Sequence, residues 1–246
     1  MGGADVIDEA ARFISDFCTG VLDLVYPPHC LVCKEPGNVY LCKACLEQVP
    51  LIEPPYCRIC GTSCGPDEYT CADCRDREYE FECARCAGVY DGVLRQAIHA
   101  LKYDFHLVMA DPLANLMVRA FPNTYLARQV DVVVPVPIHH SRLLDRGFNQ
   151  SEELARRFCE AVRLPLETRV LVKRRKTRPQ VDLPQDQRAV NVEGAFAVAR
   201  PERVAGKRVL VIDDVFTTGA TLSEAAKTLR AAGAASVCAY ALARSI

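Results

Sequence analysis

The stretch Val209-Leu210-Val211-Ile212-Asp213-Asp214-Val215-Phe216-Thr217-Thr218-Gly219-Ala220-Thr221 joins an apolar strand to two acids, a turn rich in hydroxyls, and then a helix. Four aliphatic residues in unbroken succession suit a strand buried on both faces of a parallel sheet. Ligands of such sheets sit just past the carboxyl ends of the strands, which is where Asp213 and Asp214 fall. From Thr217 to Thr221 the chain can turn backbone N–H groups toward an anion. Gly219 permits positive φ there, and the following helix adds its N-terminal dipole. Leu222, Ala225, Ala226, Leu229 and Ala232 mark one face of that helix, and Gly233 its stop. Carboxylates accept from hydroxyls and repel phosphate, whereas N–H groups and Thr hydroxyls donate, so the run reads as a cradle for a ribose and a phosphate. The plainer alternative is a solvated acid pair before an ordinary helix N-cap. The pattern Gly-x-x-x-x-Gly-Lys-Ser/Thr is absent, which disfavours nucleoside triphosphate hydrolysis.

The run resembles the loop with which type I phosphoribosyltransferases bind phosphoribosyl pyrophosphate (PRPP), two acids followed by Thr-Thr-Gly-x-Thr. The resemblance implies that Asp213 and Asp214 engage the ribose 2′ and 3′ hydroxyls. It also implies that Thr217, Thr218, Gly219, Ala220 and Thr221 hold the 5′-phosphate.

The chain of 246 residues has room for one large or two modest domains, and half of its residues are hydrophobic, ample for a packed core. A formal net charge of −1 advertises no global basic surface for nucleic acid. Near the start, Asp5, Asp8, Glu9, Arg12 and Asp16 interrupt the apolar residues. That excludes a secretory h-region and a membrane-spanning helix, and predicts a cytoplasmic protein without membrane insertion. Val6, Ile7, Ala10, Phe13, Ile14, Phe17 and Val21 repeat at helical spacing, so residues 1–26 are expected to form an amphipathic docking helix.

Fourteen cysteines without a signal peptide point to metal rather than disulfides. Cys30-x2-Cys33 and Cys42-x2-Cys45 are separated by eight residues, Cys57-x2-Cys60 and Cys71-x2-Cys74 by ten. Two such hooks converge four thiolates tetrahedrally on one Zn2+, with Gly61 easing the second knuckle. So little apolar material lies between these cysteines that folding leans on metal, which supplies on the order of 10 kcal/mol at structural zinc sites. Residues 27–80 therefore read as a double zinc ribbon with two structural sites, the competing reading being a redox thiol set. Cys83-x2-Cys86 has no second hook. A lone dithiol and a ligand set interleaved with Cys64 or His29 are both open for it. Cys18, Cys159 and Cys238 fit apolar patterns as ordinary buried cysteines.

Beyond the cysteines, residues 87–246 alternate strands and helices. A short strand is expected at Ala87 to Tyr90, a helix from Val93 to Lys102-Tyr103, and a helix from Asp111 to Ala120 with Pro112 in its first turn. A buried strand follows over Val130 to Pro137, then a loop from Ile138 to Phe148. Next comes a helix opened by Asn149, with Glu152 completing a capping box. Strands at Val170 to Val172 and Ala195 to Val198 flank a long polar stretch before the cradle strand. The fold class is thus α/β, a doubly wound and mostly parallel sheet preceded by a small zinc-ribbon domain.

Two loops supply positive charge. Lys173, Arg174, Arg175, Lys176 and Arg178 place five cations in six residues, followed by Gln180, Gln185, Gln187, Arg188 and Asn191. In type I phosphoribosyltransferases the segment at this place is a mobile basic loop that closes over pyrophosphate, which assigns Lys173 and Lys176 to catalysis. A solvated basic surface and a nucleic-acid contact are the alternatives. The other loop holds His139, His140, Ser141, Arg142, Arg146 and Gly147. There the family places a second pyrophosphate-binding loop, with Arg146 the favoured contact and Gly147 allowing close backbone approach. Exposed loop histidines are at least as good a reading of His139 and His140 as any catalytic role.

The whole order is similar to the ComF/GntX family of bacterial competence-associated proteins. It runs from the zinc ribbon through Leu101-Lys102-Tyr103, Pro135-Val136-Pro137, Arg146-Gly147-Phe148-Asn149-Gln150 and Arg174 to Gln180, to the cradle. The resemblance implies a phosphoribosyltransferase fold linked to natural transformation, PRPP bound with Mg2+, and transfer of the ribosyl group to an acceptor with release of pyrophosphate. It equally accommodates a PRPP- or nucleotide-sensing adaptor that handles single-stranded DNA and docks a helicase-like partner through its ribbon. Only one strand, about Val237 to Ala243, follows the cradle helix. An acceptor pocket is therefore expected from the ribbon, the Lys102-Tyr103 region or a partner.

Overall fold

The computed structural model describes residues 29–103, 106–121, 126, 129–178, 184 and 187–245. The helix expected over residues 1–26, and Gln180 and Gln185, lie outside them. In chain order the elements are α1 (Lys43–Glu47), α2 (Ala72–Arg75), β1 (Cys83–Val89), α3 (Gly92–Tyr103), α4 (Ala110–Ala120), β2 (Val132–Pro135), α5 (His140–Arg146) and α6 (Gln150–Val162). They continue with β3 (Leu171–Lys173), α7 (Gln187–Val192), β4 (Phe196–Val198), β5 (Arg208–Phe216), α8 (Ala220–Ala231) and β6 (Ser236–Arg244).

Four strands form a parallel sheet in the order β1-β6-β5-β2. Because side chains alternate along a strand, Leu210 and Ile212 of β5 enter one core while Val209 and Val211 enter the other. Apolar residues of α3, α4 and α6 fill the first core, and those of α8 the second. This is the doubly wound arrangement expected, and it puts the loops after β2 and β5 at the same end. No helix among the described residues is long and apolar enough to cross a membrane.

Three expectations need correction. Among the described residues, the segments at residues 170–172 and 195–198 form no part of the main sheet, since β3 and β4 pair there only with each other, and antiparallel. Three-residue strands joined by a loop that doubles back pair this way, whereas parallel neighbours need a crossover. The strand expected at Ala87 starts earlier, at Cys83, and so absorbs Cys83 and Cys86. The loop before Asn149 contains α5, which Gly147 closes at φ 82° while its N–H donates to the Leu143 carbonyl.

The ribbon segment covers the open edge of the sheet. Along β1, the N–H of Ala84 donates to the Ile59 carbonyl, that of Val89 to the Pro50 carbonyl, and Ile52 N–H to the Ala87 carbonyl. Cys30, Leu41, Cys45 and Val49 join the core on one face, and Cys57, Cys60 and Cys74 the core on the other. The two knuckles thus straddle an edge that would otherwise offer unpaired backbone groups to any passing strand.

Candidate functional site

Asp213 and Asp214 stand at the carboxyl end of β5, in a cleft of ≈ 160 Å3 shared with the loops after β2 and β3. Ser151, in the first turn of α6, donates its hydroxyl to Asp213 Oδ1 at 2.8 Å, and the Asp214 N–H donates to the same oxygen at 2.9 Å. Burial, and then the adjoining Asp214 charge, push the Asp213 carboxyl up to about 7. Asp214 takes Lys102 Nζ at 2.8 Å on one oxygen, while Oδ2 is buried with no hydrogen-bond partner among the described residues. A buried carboxylate oxygen without a donor is a place that a ligand hydroxyl satisfies. Burial works against charged Lys102, yet Asp214, its hydrogen bond and Asp213 beyond outweigh it and hold the ammonium above its usual range.

The turn after β5 is packed from behind. Gly219 adopts φ 81° as the N-cap of α8, and a Cβ there would lie 2.7 Å from Phe216 Cζ and 2.8 Å from Tyr79 Cε1. Tyr79 donates its hydroxyl to the Thr218 carbonyl at 3.2 Å, and the Ala220 N–H reaches Thr218 Oγ1 at 3.4 Å. Thr217 and Thr221 line the cleft with the acids. Thr218 and Ala220 border a separate hollow that also contains Tyr79 and Lys227.

Arg142, Arg146, Lys173 and Arg178 line the same cleft as the acids. Arg146 donates to Gln150 Oε1, and its guanidinium lies 5.7 Å from the centre of the Tyr103 ring. Burial, aided by the nearby Arg142 charge, lowers Lys173 to about 8 against the pull of Asp213. The remainder of the basic run is anchored at its base. Arg175 donates to the carbonyls of Asn191 and Glu193, and the Asn191 side chain bonds both backbone groups of Arg178.

Away from the cleft, Cys30, Cys33, Cys42 and Cys45 converge, as do Cys57, Cys60, Cys71 and Cys74, each set with its sulfurs within 4.8 Å of one another. Individual separations are 3.7 Å for Cys30–Cys45 and for Cys33–Cys42, and 3.6 Å for Cys60–Cys71. Sulfurs about 2.3 Å from a tetrahedral zinc stand about 3.8 Å apart, so both sets fit that ion. The knuckles repeat the same bonds: Cys30 N–H to Glu35 and Lys34 N–H to Cys30 in the first, Cys57 N–H to Thr62 and Gly61 N–H to Cys57 in the second. Burial raises the Cys30 and Cys57 thiols, but backbone N–H groups aimed at the sulfurs outweigh it and bring each to about 6.

Two family matches coincide with these two regions. Residues 21–75 match the double zinc ribbon domain, and residues 114–245, just over half of the chain, match the phosphoribosyl transferase domain. The chain belongs to the phosphoribosyltransferase family. Its expected kinship with ComF-type proteins is borne out by 28% identity over 225 residues to Competence protein F of Haemophilus influenzae, covering 88% of this chain and 96% of that one. DNA utilization protein YhgH of Escherichia coli K12 is 28% identical over 229 residues, 91% of this chain and all of that one. Among solved structures, glutamine PRPP amidotransferase from B. subtilis is 26% identical over 54% of this chain and 26% of that one, with a TM-score of 0.38.

Within this phosphoribosyltransferase domain, the sequence-derived residues divide in two. Asp213, Asp214, Arg146, Lys173, Thr217 and Thr221 come together around the cleft. Lys176 is exposed and is not among the residues lining it. Gly147 closes a helix instead of approaching an anion, and His139 caps α5, its Nδ1 accepting from the Ser141 N–H. Glu152 pairs with Arg156 rather than completing a capping box. Cys83 and Cys86 are buried on β1 and join opposite cores, so they form neither a local dithiol nor part of the two metal sets. Cys83 meets its strand partner Cys238 with sulfurs 3.2 Å apart. The sequence reading missed Ser151 and Tyr90 as cleft residues and Tyr79 as the support of the turn. Lys102 was flagged only as part of a region, because nothing local announces that it reaches Asp214.

Proposed function

We propose that the protein binds PRPP with Mg2+ in the cleft after β5 and transfers its phosphoribosyl group to a nitrogen acceptor, whose displaced proton and the released pyrophosphate are the by-products. The observation that carries this reading is one cleft lined by two chemically distinct sets of groups. The acid pair with Thr217 and Thr221 forms one, and Arg142, Arg146, Lys173 and Arg178 the other. Asp213 and Asp214 accept from ribose hydroxyls, the free Asp214 Oδ2 being one acceptor. Thr217, Thr221 and the N-terminus of α8 hold the 5′-phosphate. Mg2+ prefers carboxylate and phosphate oxygens, which the acid pair and PRPP supply, and when bound it neutralises pyrophosphate charge. As the C1–O bond breaks, the electron pair leaves with pyrophosphate, and the arginines and Lys173 stabilise the charge it gains. Tyr90 and Tyr103, which line the same cleft, form the acceptor side. Given its relatives' names, we place the activity in competence or DNA utilisation.

Calorimetric titration of PRPP with Mg2+ into the wild type and an Asp213→Asn/Asp214→Asn double variant tests the reading. Saturable binding by the wild type that the variant loses is the expected result. A zinc-loaded wild type that shows no binding heat would overturn it in favour of an adaptor for single-stranded DNA or a helicase-like partner.

A further inference from the structure

Arg244, at the end of β6, is 5% exposed, yet the described residues give it no carboxylate. Nη2 donates to Cys60 Sγ at 3.4 Å, and the guanidinium lies 4.0 Å from the centre of the Phe216 ring. Nε and Nη1 are buried without partners among the described residues. A guanidinium withdrawn from water needs a compensating anion, and among the described residues the group it donates to is a sulfur of the second four-cysteine set. Four thiolates on a divalent ion carry an excess of negative charge, which a buried arginine offsets.

The contacts continue to the phosphate turn. Arg244 is the strand partner of Phe216. The Phe216 ring packs edge-on against Tyr79 at 6.4 Å, and both rings close on the space beside Gly219. Tyr79 also holds the Thr218 carbonyl. A continuous series of packed groups therefore runs from Cys60 to the turn, although no cysteine is among the residues lining the cleft. A metal held by Cys57, Cys60, Cys71 and Cys74 would fasten the knuckle, and with it the sulfur that Arg244 contacts.

We infer that Arg244 is the outer-sphere partner of the second four-cysteine centre and that, through Phe216 and Tyr79, metal in this centre fixes the shape of the Thr217–Gly219 turn. Cys30 and Cys45 of the first centre lie in the other core, on the opposite face of the sheet. Arg244 is a positioning residue: it touches neither the metal nor the cleft. The inference stands apart from PRPP binding, because its readouts are metal release and backbone exchange.

Full-length wild type, Arg244→Met and Arg244→Lys, each zinc-loaded, are challenged with a chromogenic chelator, and Cys33→Ser identifies the phase belonging to the first centre. Outer-sphere partners alter metal affinity by about 10- to 100-fold. The expected result is that second-centre zinc leaves Arg244→Met at least about tenfold faster, with Arg244→Lys between and first-centre zinc unchanged. In wild type, hydrogen exchange across residues 214–222 should rise as second-centre zinc departs, while residues 110–120 keep their protection. Equal release rates in wild type and Arg244→Met, or unchanged protection of 214–222 after that zinc is gone, would overturn the inference. If Arg244→Met does not fold, the wild-type exchange measurement decides alone.

Discussion

Asp213 holds its proton well above the ordinary carboxylate range, with a carboxyl pushed up to about 7 by burial and by Asp214. An unfolded aspartate titrates near about 3.9, so the folded chain holds this proton more tightly than the unfolded one. Its contribution to stability is complete below about pH 4 and is lost as pH rises through about 7. The thermal midpoint of the ligand-free protein should therefore fall between about pH 5 and pH 7.5, and Asp213→Asn should flatten that fall. Parallel slopes in calorimetric scans of the two proteins would assign the proton to another group. At this scale the acids and Thr217 could be read directly, because strand, acids and turn are contiguous in sequence. Lys102 and Ser151 could not, since each is brought to the acids by a helix distant in the chain.

Local capping and long-range positioning meet in α6. Asn149 accepts from the Ser151 N–H and donates to the Val136 carbonyl at 3.0 Å, fastening the helix to the end of β2. Asn149→Ala removes both bonds and should cost about 1–2 kcal/mol in urea denaturation. Because Ser151 follows the cap, the same variant should weaken PRPP binding, whereas Arg156→Ala, which removes only the exposed pair with Glu152, should change neither. The cap was legible because Asn before an apolar 3.6-residue repeat has few other uses. The antiparallel pairing of β3 with β4 was not, because three-residue strands carry too few alternations to show which neighbour they choose. The knuckles were legible from spacing alone, while Cys83-x2-Cys86 shows that the same spacing inside a buried strand sends the two thiols apart.

Taken as a whole, the molecule depends on a close fit between its second knuckle and the sheet edge. Gly61 adopts φ 70°, and a Cβ there would come within 2.7 Å of the Ala84 carbonyl oxygen. Gly61→Val should lift the knuckle from β1, lower stability by roughly 1–3 kcal/mol and expose the strand to edge pairing. Light scattering during mild heating should rise well before that of the wild type, and identical traces would show that the edge is protected otherwise. The strand order also dictates when the sheet can be built. β6 lies between β1 and β5, so until Ser236–Arg244 has been synthesised the edge strand with its knuckles has, among the described residues, no strand-to-strand ladder connecting it to β5 and β2. In the growing chain β1 is a lone strand beside a separate β2–β5 pair, and the segment that unites them into one sheet is β6, which follows every other described strand.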